Sequence, residues 1–298
     1  MRAGCFAENR VIELINRRFV PYFFNRGGPG KGHDDAARKF TVGKTKNPYA
    51  YFAAFTPAGD YLGETAIYAD KDAVFAWLRQ LLADHPKFAK AAPKEAKLLA
   101  TKGKGRALER ARLQEALGEY AAAIESYGEV EDAEERARAL LRIARHQKDW
   151  KRHATLEASA RKLDGSAELP FDLAMERGYR LLAEKKYAAA RDLLLPMARK
   201  ANLSPRLAEL HFYTGVAYWF LKDRDHAKFH WCWILDHLED DRFYMRARVA
   251  AAAEIMPYPN PELGNYRARG MIGTGHIVRE VAKSMRLYRK LLPEYEGR

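Results

Sequence analysis

The sequence predicts two parts of different class, an α/β segment followed by an all-α array of helical repeats. Three observations carry this. Short aromatic, apolar runs alternate with helical patterns over the first 90 residues. An Ala/Lys/Gly stretch from Lys90 to Arg106 then interrupts them. Beyond about residue 106 only the 3.6-residue helical period remains, with a short turn recurring between pairs of helices.

In the first part, Phe6, Val11, Leu14 and Ile15 share one helical face over residues 6–18. Phe19 to Asn25 (FVPYFFN) is short, apolar and aromatic, which favours a buried strand. Gly27 to Gly32 breaks that element, and the following HDDAARKF opens a short helix. Strands are expected at Ala50–Thr56 and Tyr61–Ile67. Pro57-Ala58-Gly59-Asp60 turns one into the other, because proline presets φ and glycine permits positive φ. Residues 71–83 give an amphipathic helix through Val74, Trp77, Leu78 and Leu81.

The wording of this part resembles the thioredoxin-like family in which a Cys-x-x-Cys-His/Lys-x-Met motif precedes a Phe-Val strand. Met1 and Val11 are ten residues apart, and Ile15-Asn16-Arg17-Arg18-Phe19-Val20 follows as in that family. Pro48 falls at the family's cis-proline position and Pro57-Ala58-Gly59 at its hairpin turn. The resemblance covers about residues 1–85. It implies that Met1 aligns with the methionine after the redox motif. Both catalytic cysteines would then lie upstream of Met1, and the family's central first strand would be missing. A truncated domain of this kind exposes a strand edge. A dimer that pairs such edges is one way to cover it.

The second part contains four related turns. Leu117-Gly118-Glu119-Tyr120 precedes Ala123 and Tyr127, and Lys148-Asp149-Trp150 precedes Ala160. Gly178 leads to Glu184-Lys185-Lys186-Tyr187 and Ala190, and Gly215-Val216-Ala217-Tyr218 leads to Lys222-Asp223-Arg224, Ala227 and Trp231. Tyr120, Trp150, Tyr187 and Arg224 are spaced 30, 37 and 37 residues apart. The array resembles tetratricopeptide repeats, whose period is roughly 34, although Leu141 stands where a small residue is usual. The expected divisions are an incomplete thioredoxin-like domain at 1–90, a basic linker at 91–105, helical repeats at 106–256, and a Pro-rich stop with a capping helix at 257–298. That last helix is expected over 276–291, and Pro257, Pro259 and Pro261 end the one before it.

In the repeat register, Arg112, Arg138, Arg142 and Arg145 fall on the first-helix face of the early copies, and Met175, Tyr179, Leu182, Phe212, Val216 and Trp219 on that of the later ones. This predicts a groove, basic at one end and apolar or aromatic at the other, for a protein or peptide partner of acidic or aromatic character. A non-catalytic scaffold is the expected function. The alternative is a thiol-disulfide oxidoreductase or chaperone whose Cys-x-x-Cys lies upstream of the given start.

Other chemistry is weakly supported. Cys5 has Glu8 nearby and no second cysteine or histidine, which disfavours a thiolate, so it reads as structural. With Cys232 the only other cysteine, a disulfide framework is excluded and a cytoplasmic setting is expected. The glycine-rich stretches Asn25–His33 and Gly270–Gly275 fail the phosphate-loop and dinucleotide patterns. His226 and His230 have metal-ligand spacing with His237 beyond them, but Cys232 points to another face and no metal is expected. The net charge is +13, of which +4 falls in residues 91–110. Without a nucleic-acid motif that excess reads as a solvated linker. No apolar run reaches the length needed to span a bilayer.

Overall fold

The computed structural model describes residues 9–21, 51–66, 71–90, 92–101, 103–164, 169–200, 205–241, 243–252 and 274–295. The molecule is mostly helical, with one small antiparallel sheet among the described residues. It divides into two units, Gly4–Lys97 and, apart from three N-terminal residues, Leu98–Arg298.

The first unit contains helix α1 (Asn9–Arg18), strands β1 (Tyr51–Phe55) and β2 (Tyr61–Ala66), and helix α2 (Lys71–Asp84). Val11 and Leu14 of α1 are buried, as are Val74, Phe75, Leu78 and Leu81 of α2, and the two helices pack together. Arg10 adds an ion pair to Asp72 and sets its guanidinium 4.9 Å from the Phe75 ring centre. The sheet runs antiparallel from Tyr51 opposite Ala66 to Phe55 opposite Tyr61, with an irregularity between Ala54 and Phe55. Its turn closes as the sequence predicts, with Gly59 at φ 92° and the Gly59 amide donating to the Thr56 carbonyl at 2.9 Å.

Two expectations for this unit change. Phe19, Val20 and Pro21 form no strand, and Val20 is 94% exposed. Proline has no amide to give a ladder, and the remainder of that run lies outside the described residues, as do Pro48, the glycine-rich stretch before it and Cys5. The second change concerns the basic linker, which contains helix α3 (Pro93–Ala100). Pro93 takes the first helical position, where its missing amide costs nothing, and Lys, Glu, Ala and Leu carry the helix on. Glu95 binds Arg17 and Arg18 at 2.8 and 2.5 Å. Burial pushes the Glu95 carboxyl up, but the two guanidinium groups outweigh it and hold its pKa below the ordinary value.

The second unit is a run of ten helices among the described residues. They are α4 (Ala107–Ala116), α5 (Tyr120–Gly128), α6 (Ala133–His146), α7 (Trp150–Asp164), α8 (Phe171–Ala183), α9 (Tyr187–Lys200), α10 (Leu207–Phe220), α11 (Arg224–His237), α12 (Tyr244–Ala252) and α13 (Thr274–Tyr295). Each packs on the next in sequence; α6 also touches α8, α8 touches α10, and α13 touches α11 as well as α12.

The turn between the helices of a pair is built the same way four times. Gly118, Lys148, Lys185 and Lys222 all have left-handed backbone, at φ 74°, 58°, 60° and 68°. The amide after each reaches back to the first helix: Glu119 to the Gln114 carbonyl, Asp149 to Ala144, Lys186 to Leu181 and Asp223 to Tyr218, at 2.8 to 3.0 Å. This six-to-one closure satisfies carbonyls that the end of a helix would otherwise leave open. The second helix then begins two residues beyond the left-handed residue, at Tyr120, Trp150, Tyr187 and Arg224. Asp132 and Asp223 cap the N-termini of α6 and α11 with side-chain oxygens.

Small residues let the helices of a pair approach. Gly178 of α8 faces Leu194 of α9, and Gly215 of α10 faces Trp231 of α11. The largest apolar cluster runs from α8 to α13 and includes Met175, Phe212, Phe229, Trp231 and Tyr288. Smaller clusters join α4 to α6 and α6 to α8.

Candidate binding face on the first helices

The residues expected to line a groove fall into two groups. Met175, Tyr179, Phe212 and Trp219 are between 0 and 8% exposed, as are Leu182 and Val216, so the apolar end of the groove is interior. The correction has a physical reason. Helix α8 is covered by α9 and by α10, the first helix of the next pair, and α10 by α8, α9 and α11, so the face named by the repeat register is spent on packing. Tyr179, for example, meets Tyr213 of α10 edge to face at 4.9 Å.

The arginines stay nearer to solvent, but each has a carboxylate. Arg112 pairs with Glu135 at 2.9 Å, and Arg138 with Glu134 one turn earlier. Arg142 holds Glu115 through two bonds of 3.1 and 3.2 Å, and the Tyr127 hydroxyl donates to the same carboxylate at 2.6 Å. Arg145 binds Glu176 at 3.0 Å and lies 4.6 Å from the Tyr179 ring centre. The Tyr179 hydroxyl donates to Glu209, and Arg206 binds both at 2.9 and 2.8 Å.

These contacts form a ladder. Arg112 and Tyr179 occupy equivalent positions in the repeat register, and so do their partners Glu135 and Glu209. Arg142 to Glu115, Arg145 to Glu176 and Tyr179 to Glu209 each tie one first helix to a neighbouring one. Burial pushes the Glu176 carboxyl up, but Arg145, His153 and Arg206 outweigh it and bring its pKa down to about 2. Burial, then the neighbouring Glu209, pushes the Tyr179 phenol well above its ordinary value. Such groups are locked in one charge state and serve as struts. Among the four arginines the most exposed are Arg112 of α4, 58%, and Arg138 of α6, 37% on the side chain.

The buried polar set on the second helix of the second pair was missed by the sequence reading. His153 and Glu157 of α7 are buried where the other second helices carry Ala and Tyr, Leu or Trp. Glu157 accepts from Arg177 and Arg180 of α8, and His153 lies 3.3 Å from Glu176. The signal was available in the register: a histidine and a glutamate at apolar positions require partners on the facing helix.

The histidines do not converge. His226 bonds Asp223 at 2.8 Å, His237 bonds the Trp233 carbonyl at 3.0 Å, and His230 faces His211 of α10. Among the described residues no group of three ligands could hold a metal ion. Cys232 is fully buried, and burial pushes its thiol up to about 12. Among the described residues no helix is long and apolar enough to cross a membrane.

No protein-family model, curated protein or solved structure matches the chain.

Proposed function

We propose that the chain is a non-catalytic protein-binding scaffold, with tetratricopeptide-like repeats in its second unit and an incomplete thioredoxin-like domain in its first. The observation that carries the reading is the fourfold turn at Gly118, Lys148, Lys185 and Lys222, repeated with the spacing of 30, 37 and 37 residues that the sequence pattern has. Successive helix pairs whose first helices touch, α6 on α8 and α8 on α10, support it further. For the first unit, the order of helix, two-stranded hairpin and helix supports the reading.

The acids and bases that the second unit brings together neutralise one another, which favours a structural role for them over catalysis. A partner meets the rim of α4 and α6, where Arg112, Arg138 and Glu134 form a mixed-charge row. The cytoplasm suits a chain whose described cysteine is a buried thiol. The test is affinity capture with the full chain and with an Arg112→Glu/Arg138→Glu variant of unchanged melting temperature. Loss of a specific interactor in the variant supports the rim as the binding face. An identical set of captured proteins would overturn it.

A further inference from the structure

His211 of α10 and His230 of α11 meet edge on in the interior, Nδ1 to Nδ1 at 3.1 Å with the rings tilted by 52°, and are 0 and 1% exposed. At that distance one ring donates and the other accepts, so at least one Nδ1 must be without its proton. Two imidazolium rings would set hydrogen against hydrogen and charge against charge.

The surroundings offer such charge little: the Ala198 backbone favours a protonated His211, but burial and the neighbouring histidines outweigh it. On α11, His226 and His237 flank the pair, with Asp223 already engaged by His226 at 2.8 Å and Asp236 by Tyr288 at 3.1 Å. On α9, Arg199 lies 5.3 Å from the ring centre of Tyr295. Tyr218 of α10 stacks on His230 at 5.6 Å, and Trp233 stacks on His211 at 3.8 Å. Among the described residues no carboxylate bonds either ring. Burial, reinforced by neighbouring cations, brings His230 down to about 3 and holds His211 well below its ordinary value.

The end of α13 covers this pair. The Tyr295 ring sits 5.7 Å from His230, 6.4 Å from His211 and 4.7 Å from Phe229, centre to centre. Its hydroxyl is buried without a hydrogen-bond partner. Earlier in α13 the hold is firmer: Ser284 donates to the Ala251 carbonyl at 2.7 Å, and Tyr288 donates to Asp236.

We propose that the last turns of α13, beyond Tyr288, are an acid-released cap, detached when the His211–His230 pair takes up protons. Detachment uncovers Phe229 and the two imidazoles to water. The sign is fixed by the chemistry: the released state has ordinary histidines, with pKa near 6.5, and so binds more protons than the docked state below that pH. Docking is therefore strongest above about pH 6.5 and weakens as pH falls below it. The inference is independent of any partner on α4 and α6.

Hydrogen–deuterium exchange on the full chain, corrected for the intrinsic rate, tests this at pH 7.5, 6.0 and 5.0. Amides of residues 289–295 should lose protection by about tenfold or more between pH 7.5 and 5.0, while those of α10 to α12 keep theirs. His230→Asn, which still accepts a hydrogen bond from His211 but removes one of the two titrating rings, should make that dependence clearly shallower. Tyr295→Ala should leave residues 289–295 poorly protected at every pH. Unchanged protection of residues 289–295 in the wild type would overturn the proposal. So would parallel loss across α10 and α11, or a wild-type pH dependence in His230→Asn. If His230→Asn fails to fold, His211→Asn makes the same comparison.

Discussion

Gly215 lies so close to Trp231 that a methyl group added to it would sit 2.5 Å from the indole nitrogen, 2.9 Å from Cδ1 and 3.0 Å from the Ala227 carbonyl oxygen. The indole cannot swing aside freely, because its N–H donates to the buried Phe212 carbonyl at 3.1 Å. Gly215→Ala gains about 1 kcal/mol of helix propensity and loses about 2 to 3 kcal/mol to overpacking. The net expectation is a loss of about 1 to 2 kcal/mol, read as a lower urea midpoint. Gly178→Ala meets only the methyl ends of Leu194, at 2.8 and 3.3 Å, which can rotate away. There the two effects come close to cancelling.

The left-handed turn residues give a prediction of opposite sign. Lys148, Lys185 and Lys222 hold a conformation that costs an L-residue with a Cβ roughly 1 kcal/mol or more. Glycine relieves that strain but gains freedom in the unfolded chain worth about 0.5 to 1 kcal/mol. A Lys148→Gly/Lys185→Gly/Lys222→Gly chain should therefore be stabilised by about 1 kcal/mol in all. Gly118→Ala should be destabilised by about 1 kcal/mol. Thermal melts of the wild type, the triple variant and Gly118→Ala check both signs, and a destabilised triple variant would count against the shared turn.

These turns were legible in the sequence because aromatic and small residues recur at fixed offsets from them, and Pro57-Ala58-Gly59-Asp60 was legible for its own turn chemistry. The groove was read less well. Periodicity names the face that Met175, Tyr179 and Phe212 share, but not which helix covers that face. His226 and His230 look alike in the sequence, one turn apart. Only the packing of α10 on α11 turns His230 inward to His211 while His226 bonds Asp223. The helix at Pro93–Ala100 was hidden by its lysines, since charge count says nothing about Arg17 and Arg18 waiting for Glu95.

Cys232 should be chemically silent in the native state. It is fully buried, and with its thiol pushed up to about 12, thiolate is a very minor species at neutral pH. In a Cys5→Ser chain, labelling by a thiol reagent at pH 7.5 should be slow and rise sharply only on denaturation. Rapid labelling in native buffer would reopen a redox role for this thiol.

Glu176 is the strut whose loss should be felt most widely. It is 5% exposed, accepts from Arg145, lies 3.3 Å from His153 and is joined through Arg145 to the Tyr179 ring. Glu176→Gln keeps the shape but removes the negative charge that faces the Arg145 guanidinium, which is 15% exposed. Removing one partner of a buried pair costs about 3 to 5 kcal/mol. The partial exposure of Arg145 and an amide oxygen that still accepts from it bring the expected loss to about 2 to 3 kcal/mol. Arg145→Met added to Glu176→Gln should recover part of that loss, giving a coupling of about 1 kcal/mol or more in the double-mutant cycle. The pH dependence follows from a carboxyl held at about 2 against an ordinary value of 4.5. Its stabilising effect is complete above the ordinary value and fades as pH falls toward 2. The difference in urea midpoint between wild type and Glu176→Gln should therefore be constant from pH 7 to 5 and narrow below about pH 4.5. A gap that stays the same at pH 3.5 would show that the variant acts through packing, with the charge of Glu176 playing no part.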